Sequence, residues 1–88
     1  MTHHEYALGF EAEVVEQIRA LPREIQRPLL QYLGDLAKDP RPRGYEKLED
    51  DLGYRVIWRS VRVTYWLDDA NGSLQIARVA PEPPSAVS

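Results

Sequence analysis

The run from Tyr54 to Asp69 combines arginines with aromatic and aliphatic residues in a regular alternation. Arg55, Arg59 and Arg62 alternate with apolar neighbours, and Trp66 follows further along the same run. Guanidinium groups bind phosphates and carboxylates through paired hydrogen bonds, and they also stack on aromatic rings. Three guanidinium groups beside an indole predict a binding site for a polyanion or for an acidic protein segment.

The alternation has the period of a β-strand and changes phase at Arg59-Ser60. We therefore expect a β-hairpin that turns at these residues and pairs Ile57 with Arg62. One face is apolar and suits a core, since it carries Tyr54, Val56, Trp58, Val61, Val63, Tyr65 and Leu67. The opposite face carries the arginines with Thr64 and Trp66. Because the turn lacks the Asn-Gly chemistry that two-residue hairpins favour, a bulge with a shifted register is an alternative.

Length and composition predict one small domain. The 88 residues contain no cysteine, which excludes disulfides and thiolate metal sites. No apolar run is long enough to span a membrane, and His3-His4-Glu5 interrupts any signal peptide. The two adjacent histidines have no further ligand and make a poor metal site. We expect a soluble cytoplasmic protein without a metal or a cofactor.

The charge distribution limits where an anion can bind. The chain carries a net charge of −3. Residues 53–80 alone hold four arginines against two aspartates, a local charge of +2. The protein as a whole therefore repels nucleic acid at long range, whereas the hairpin region attracts it locally. Any contact with RNA or DNA must be confined to that surface.

The N-terminal half predicts a strand and two helices. Tyr6 to Phe10 alternates like a short strand, and Glu11 to Ala20 has the apolar spacing of a short helix. A second helix is expected from about Arg23 to Lys38. Inside it, Pro28 lacks a backbone donor, which predicts a late helix start or a kink near Gln26-Arg27.

The segments around the hairpin predict a linker before it and a strand after it. Residues 39–53 are rich in proline, glycine and charge, and the acidic run Glu49-Asp50-Asp51 is expected to be a solvated loop. Asp69-Ala70-Asn71-Gly72 predicts a type I′ turn, and Ser73 to Ala80 predicts the last strand. On that strand Arg78 faces the helices if pairing is regular, and faces outward if the strand contains a bulge.

The elements follow the order β-α-α-β-β-β. This order favours an α+β fold, in which a helical hairpin packs on one face of a small, mainly antiparallel sheet and leaves the arginine face open. Residues 1–80 should form this single domain. Residues 81–88 begin Pro81-Glu82-Pro83-Pro84 and are expected to form a flexible, proline-rich C-terminal tail.

Four short motifs follow one another over nearly the whole chain. They are Tyr6 to Phe10 with Glu11-Ala12, Ala20-Leu21-Pro22, LAKDPRPRGYEKLEDDLGYRV from Leu36 to Val56, and RSVRVTYWLDD from Arg59 to Asp69. In this order and spacing the chain resembles the RelE/ParE superfamily, the bacterial toxins of type II toxin–antitoxin systems. The last motif is similar to the family's G-D-Y-R-V-x-Y strand pair, which ends in an aspartate. The resemblance implies the fold described above, which the elements also predict independently.

The resemblance also implies a function and a site. Such toxins bind a macromolecular target and are neutralised by a cognate antitoxin protein. The resemblance therefore implies that the target, the antitoxin or both contact the basic face, through Arg55, Arg59, Arg62 and Trp66. One branch cuts messenger RNA on the ribosome. For an mRNA interferase of that branch, Arg62 matches the arginine of the second central strand and Arg55 a basic position before it. These two residues would then be catalytic, because they would hold the scissile phosphate.

The C-terminal end departs from the ribonuclease pattern. Ribonuclease members usually carry a His-Arg or Lys-Arg pair after the last strand and a tyrosine some residues later. Here the arginine position falls roughly at Glu82, which would place a negative charge near the expected phosphate, and no tyrosine follows. Tyr54 and Tyr65 do not replace the missing tyrosine, because the predicted register directs both side chains to the core. We therefore expect a toxin that acts by binding its target, and DNA gyrase is the target of the superfamily's other branch. The alternatives are a ribosome-dependent ribonuclease and a degenerate, non-toxic member.

Overall fold

The structure is a computed structural model that describes residues 5–49 and 53–82. His3, His4, Asp50, Asp51 and residues 83–88 of the expected tail lie outside the described residues. The elements are β1 (Ala7–Phe10), α1 (Ala12–Arg19), α2 (Arg23–Lys38), β2 (Glu46–Lys47), β3 (Tyr54–Trp58), β4 (Val61–Asp68) and β5 (Ser73–Pro81). The prediction that the tail begins at residue 81 is wrong, because Pro81 ends β5 and the N–H of Glu82 is hydrogen-bonded to Ser60. The predicted α+β order is confirmed, and the short strand β2 is an addition within the expected linker. Neither α1 nor α2 is long and apolar enough to cross a membrane.

The strands form one sheet in the order β1-β5-β4-β3-β2. β1 runs parallel to β5, and the other three neighbouring pairs are antiparallel, as expected for a mainly antiparallel sheet. The last strand therefore lies between the first strand and the central hairpin. This arrangement places β3, β4 and β5 side by side, so that their outward side chains form one continuous surface.

The β3–β4 hairpin has the predicted register. Ile57 pairs with Arg62, which leaves Arg59 and Ser60 as a two-residue turn. Both residues have positive φ angles, 48° and 65°, the left-handed conformation that a type I′ turn requires. Neither residue is a glycine. Pairing of the two strands, whose inner side chains are part of the core, therefore sets the register, and the bulged alternative does not occur here.

The β4–β5 connection differs from the prediction. Asp68 pairs with Ser73, so the loop comprises residues 69–72, and only Gly72 in it has a positive φ, 65°. The predicted type I′ turn is therefore wrong, because it would need a positive φ at Asn71 as well. Instead, the Asp68 carboxylate accepts hydrogen bonds from the backbone and side-chain nitrogens of Asn71 at 3.2 and 2.7 Å. These bonds close the loop and lower the pKa of the Asp68 carboxyl.

The core lies between the helical hairpin and the inner face of the sheet. Its buried members are Val14, Ile18, Leu21, Leu29, Leu33, Leu36, Val56, Val61, Val63, Tyr65, Leu74, Ile76 and Val79. Helix α2 begins at Arg23, so Pro28 does not delay the start of the helix. The backbone donor that Pro28 lacks would have bonded to the carbonyl of Glu24. That residue is exposed in the first turn, where water can satisfy the carbonyl.

Candidate binding site on the open sheet face

One face of the sheet points away from the helices, and we call it the open face. Its members are Arg55, Ile57, Arg62, Thr64, Trp66, Arg78 and Ala80, which alternate with the buried positions of β3, β4 and β5. Two large apolar side chains are unusually accessible on it, since Ile57 is 49% exposed and Trp66 is 42% exposed. The open face therefore combines guanidinium groups with exposed apolar surface.

Arg55 lies on the open face, as predicted, and forms an ion pair there with Glu46. The two residues are cross-strand partners on β3 and β2. Nε and Nη2 of Arg55 lie 3.1 and 2.5 Å from Oε1 of Glu46. The Glu46 carboxylate is well exposed, so this pair contributes little to stability and does not seal the guanidinium from a ligand. Sequence reasoning missed this partner because β2 is only two residues long.

Arg62 also lies on the open face, and Glu82 binds it. The backbone N–H of Glu82 donates to the carbonyl of Ser60 at 2.7 Å, which extends the strand pairing beyond the end of β5. Nε and Nη2 of Arg62 lie 3.0 and 2.8 Å from Oε1 of Glu82. The carboxylate therefore uses the same two donors that a phosphate would use. The negative charge expected from the sequence at Glu82 thus lies directly against Arg62.

Arg59 does not join the other two arginines. Its guanidinium carbon lies 4.9 Å from the ring centroid of Trp58. Trp58 in turn packs on the core side, where its ring stacks on Tyr32 with centroids 5.5 Å apart. The predicted convergence of three guanidinium groups is therefore wrong, because the left-handed turn directs Arg59 toward the tip of the hairpin. Arg55 and Arg62 share the open face, and Arg59 lies at its end.

Trp66 lies on the open face and packs against Gly53. Gly53 has a φ of +100°, and a Cβ atom there would lie 2.6 Å from the carbonyl oxygen of Tyr65 and 3.3 Å from the Trp66 ring. Only glycine fits this position without displacing the strand. The start of β3 therefore supports the indole from one side while the other side of the ring stays accessible.

Arg78 joins the open face because β5 contains a β-bulge. Thr64 pairs with Arg78, but the next residue, Tyr65, pairs with Ile76, so that Ala77 is the extra residue. Of the two orientations left open by the sequence, the structure has the outward one. The spacing of the buried residues on β5 carries the signal, since Ile76 and the next buried residue, Val79, are three positions apart.

The two tyrosines of the hairpin are directed to the core, as predicted. Tyr65 is fully buried, and its hydroxyl donates to the carbonyl of Pro40 at 2.6 Å. Tyr54 stacks on it with ring centroids 5.7 Å apart. Burial raises the pKa of Tyr65. Neither side chain can serve as a proton-transfer group on the open face.

No protein-family model matches the sequence, and no curated protein matches it. Solved structures match it by fold. The archaeal RelE of a RelE–RelB complex from Pyrococcus horikoshii OT3 has a TM-score of 0.79 at 24% identity, covering 92% of this chain and 99% of that chain. The RelBE2 toxin–antitoxin complex of Mycobacterium tuberculosis gives 0.78 at 22% identity, with 88% and 98% covered. The isolated RelE toxin of E. coli gives 0.75 at 23% identity, with 93% and 89% covered.

At sequence identities of 22–24%, these structural matches establish the fold of the chain and nothing finer. The chain therefore has the fold of RelE toxins over nearly its whole described length, and the resemblance indicated by the sequence motifs is confirmed at the level of the fold. The open face is the part of this fold on which the present chain places Arg55, Arg62, Arg78 and Trp66.

Proposed function

We propose that this protein is the toxin of a bacterial type II toxin–antitoxin system, that it binds a macromolecular target through the open face, and that a cognate antitoxin protein neutralises it in the cytoplasm. The fold supports the proposal, because its structural neighbours are RelE toxins, two of them in complexes with an antitoxin. The observation that carries it is the open face itself, where Arg55, Arg62 and Trp66 are presented on the side of the sheet that neither α1 nor α2 covers.

The chemistry of the open face supports binding to a macromolecule. Arginine and tryptophan are among the residues most enriched at the energetic centres of interfaces, and Trp66 is exposed on the same face as Arg55 and Arg62. Ile57 adds exposed aliphatic surface next to Arg62, its partner across the hairpin. A solvated outer sheet face without a partner would carry short polar side chains or lysines more often than exposed tryptophan and isoleucine.

A ribosome-dependent mRNA endoribonuclease is the second candidate. Arg55 and Arg62 support it, because they lie on adjacent strands of the same face and both can contact one phosphate. Cleavage would also require proton transfer, for which arginine is poorly suited. The contact between Arg62 and Glu82 weighs against this candidate, since a phosphate would have to displace the carboxylate. We therefore place target binding first, with DNA gyrase as a target that would not require cleavage chemistry.

Induction of this protein alone in a bacterial host tests the proposal, with pulse-labelling of translation and DNA synthesis and with viable counts. Growth arrest that co-expression of the cognate antitoxin relieves is the expected result. Early loss of translation would favour the ribonuclease, and early loss of DNA synthesis would favour gyrase. Normal growth despite soluble expression and a folded protein would contradict toxicity and favour a degenerate member, in which Glu46 and Glu82 permanently occupy Arg55 and Arg62.

A further inference from the structure

We propose that α2 carries a self-association surface, on which α2 of a second copy of this chain packs antiparallel about a two-fold axis at Gln31. We call this surface the outer face of α2, since it lies opposite the buried side of the helix. Its exposed members are Glu24, Arg27, Leu30, Gln31, Asp35 and Lys38. The proposal goes beyond the proposed function, because it assigns a partner to the side of the molecule opposite the open face.

The charges of the outer face are opposite in sign at equal distances from Gln31. Glu24 precedes Gln31 by seven residues and Lys38 follows it by seven. Arg27 precedes it by four and Asp35 follows it by four. A two-fold axis at Gln31 would place each residue opposite the residue at the same distance on the other side of Gln31 in the second copy. Glu24 would therefore face Lys38 of the second copy, and Arg27 would face Asp35, with both ion pairs repeated by symmetry.

These four charges are available to a partner. Among the described residues, every ion pair lies outside α2. Glu24 and Arg27 are three residues apart on the helix, as are Asp35 and Lys38, yet neither pair comes within ion-pair distance in the part of the chain that the structure describes. A second copy would give each of the four charges a partner of opposite sign.

Leu30 and Gly34 provide a matching apolar contact. Leu30 is 48% exposed, and a Cβ atom at Gly34, one turn further along the same side of α2, would meet no atom within 4 Å. Glycine is unfavourable inside a helix, and no neighbour within the chain requires it here. With the axis at Gln31, Leu30 of one copy lies about 3 Å along the helix axis from Gly34 of the other. The leucine can therefore pack where the glycine has no side chain, and symmetry repeats the contact.

An apolar groove continues the outer face toward α1. Between the two helices lies a shallow cavity of about 310 Å³. Its lining residues are Phe10, Val15, Ile18, Arg19, Gln26 and Leu30. Val15 is 44% exposed there. The contact surface thus has an apolar side at the groove and a charged side beyond Gln31, and a second copy presents the same two sides in the matching order.

The size of this surface predicts a weak dimer. The 16 residues of α2 extend over about 24 Å. A helix pair of this length buries less than the roughly 800 Å² per partner of a standard interface, so association should depend on protein concentration. The two open faces would point away from each other and stay uncovered. Target binding, and with it growth arrest, should therefore be independent of association.

Exchange of the charges at Arg27 and Asp35 tests the proposal by sedimentation velocity, over protein concentrations from about 1 µM to about 1 mM. We expect the wild type to dimerise. Arg27→Asp and Asp35→Arg should each weaken association about fivefold or more, because each places like charges together at both symmetry-related contacts. An equimolar mixture of the two variants should associate within about twofold of the wild type, since every contact between unlike copies joins opposite charges.

Matched controls separate this effect from net charge and from folding. Arg43→Asp and Glu49→Arg make the same charge changes at exposed positions between α2 and β3, and both should dimerise like the wild type. Gly34→Gln fills the open space with a good helix former. Its circular dichroism should match that of the wild type while its association is lost. Amide resonances that shift on dilution of the wild type should belong to α2 and the groove.

A wild type that stays monomeric over the whole concentration range would overturn the proposal and leave the outer face to another partner, such as a helix of the antitoxin. Failure of the mixture to associate would exclude the two-fold antiparallel pairing. Equal weakening in the controls would attribute the effect to net charge alone and would also overturn it. The proposed function fails separately, since growth arrest tests the open face and sedimentation tests α2.

Discussion

Glu82 and Arg62 form a two-point contact on the open face near the β3–β4 turn, with Nε and Nη2 of the guanidinium 3.0 and 2.8 Å from one carboxylate oxygen. The backbone N–H of Glu82 is itself hydrogen-bonded to Ser60, so the acidic residue is positioned by strand pairing. An acidic side chain therefore neutralises the arginine that the RelE resemblance implicates in phosphate binding. An anion that binds Arg62 through these two donors would have to displace the Glu82 carboxylate.

Glu82→Gln should increase the affinity of the open face for a polyanion. The amide keeps the shape of the side chain but removes the charge that competes with a phosphate at Arg62. We expect binding of labelled oligouridylate to tighten by about threefold or more, since a displaced surface ion pair contributes up to roughly 1 kcal/mol. Glu24→Gln, an exposed site on α2 with the same charge change, is the control. Equal affinities for the two variants would show that Glu82 does not compete for Arg62.

Tyr65→Phe should lower the free energy of unfolding by about 1 to 3 kcal/mol at neutral pH, because the carbonyl of Pro40 loses its buried donor. Urea denaturation measures this change. Tyr45→Phe, on an exposed ring, is the control and should be nearly neutral. No difference between the two would mean that the hydroxyl of Tyr65 is not a structural donor.

Tyr65 should also make stability depend on alkaline pH. Burial raises the pKa of its hydroxyl above the unfolded value of about 10, so the unfolded state releases the proton first. Its contribution to stability is therefore complete below about pH 10 and is lost as the pH rises above that value. The wild type should lose stability more steeply than Tyr65→Phe over this range. Parallel curves for the two proteins would contradict the assignment.

Gly53→Ala should destabilise the protein by about 1 to 3 kcal/mol. The new Cβ would lie 2.6 Å from the carbonyl oxygen of Tyr65, at a φ of +100° that side chains disfavour. Gly34→Ala is the matched control, since no atom lies within 4 Å of a Cβ there and α2 should gain up to about 1 kcal/mol. Thermal denaturation should therefore shift in opposite directions for the two variants. A shift in the same direction would show that the close approach beside Trp66 is not rigid.

Gln17→Ala should weaken the bulge on β5. The backbone N–H of Val79 would lose its partner in a partly buried position, which costs about 1 to 3 kcal/mol. Gln31→Ala, on an exposed position of α2, should change stability little. Amide hydrogen exchange at Val79 locates the effect, because the unprotected amide should exchange faster in Gln17→Ala than in the control. Unchanged protection would mean that Gln17 does not hold the bulge.

The sequence predicted the hairpin and its faces because one physical constraint determines both. Val56, Val63 and Tyr65 lie on one side of a period-two pattern, and a slip of one residue between the strands would turn part of this set away from the core. This constraint also overrides local turn chemistry, since Arg59 and Ser60 adopt left-handed conformations without glycine. Arg55, Arg62 and Trp66 follow onto the open face as a consequence.

The parts that the sequence did not predict depend on partners distant along the chain. Glu46 becomes a strand residue because Arg55 pairs with it across the sheet. The surrounding segment is charged and rich in proline and glycine, and it has no pattern that predicts a strand of two residues. Arg78 turns outward because β5 must bury Ile76 and Val79 while remaining paired with β4, which requires a bulge. Arg59 stacks on Trp58 because of the turn conformation, which an alternation pattern does not contain.

The most direct test of the central claim compares growth arrest by two charge-matched triple variants expressed without antitoxin. One removes the open-face arginines as Arg55→Ala, Arg62→Ala and Arg78→Ala, and the other removes helical arginines as Arg19→Ala, Arg23→Ala and Arg27→Ala. Both triple variants change the net charge by the same amount, and circular dichroism is used to check that each variant is folded. We expect the helical variant to arrest growth like the wild type and the open-face variant to have lost toxicity. Toxicity retained by a folded open-face variant would contradict target binding through this surface.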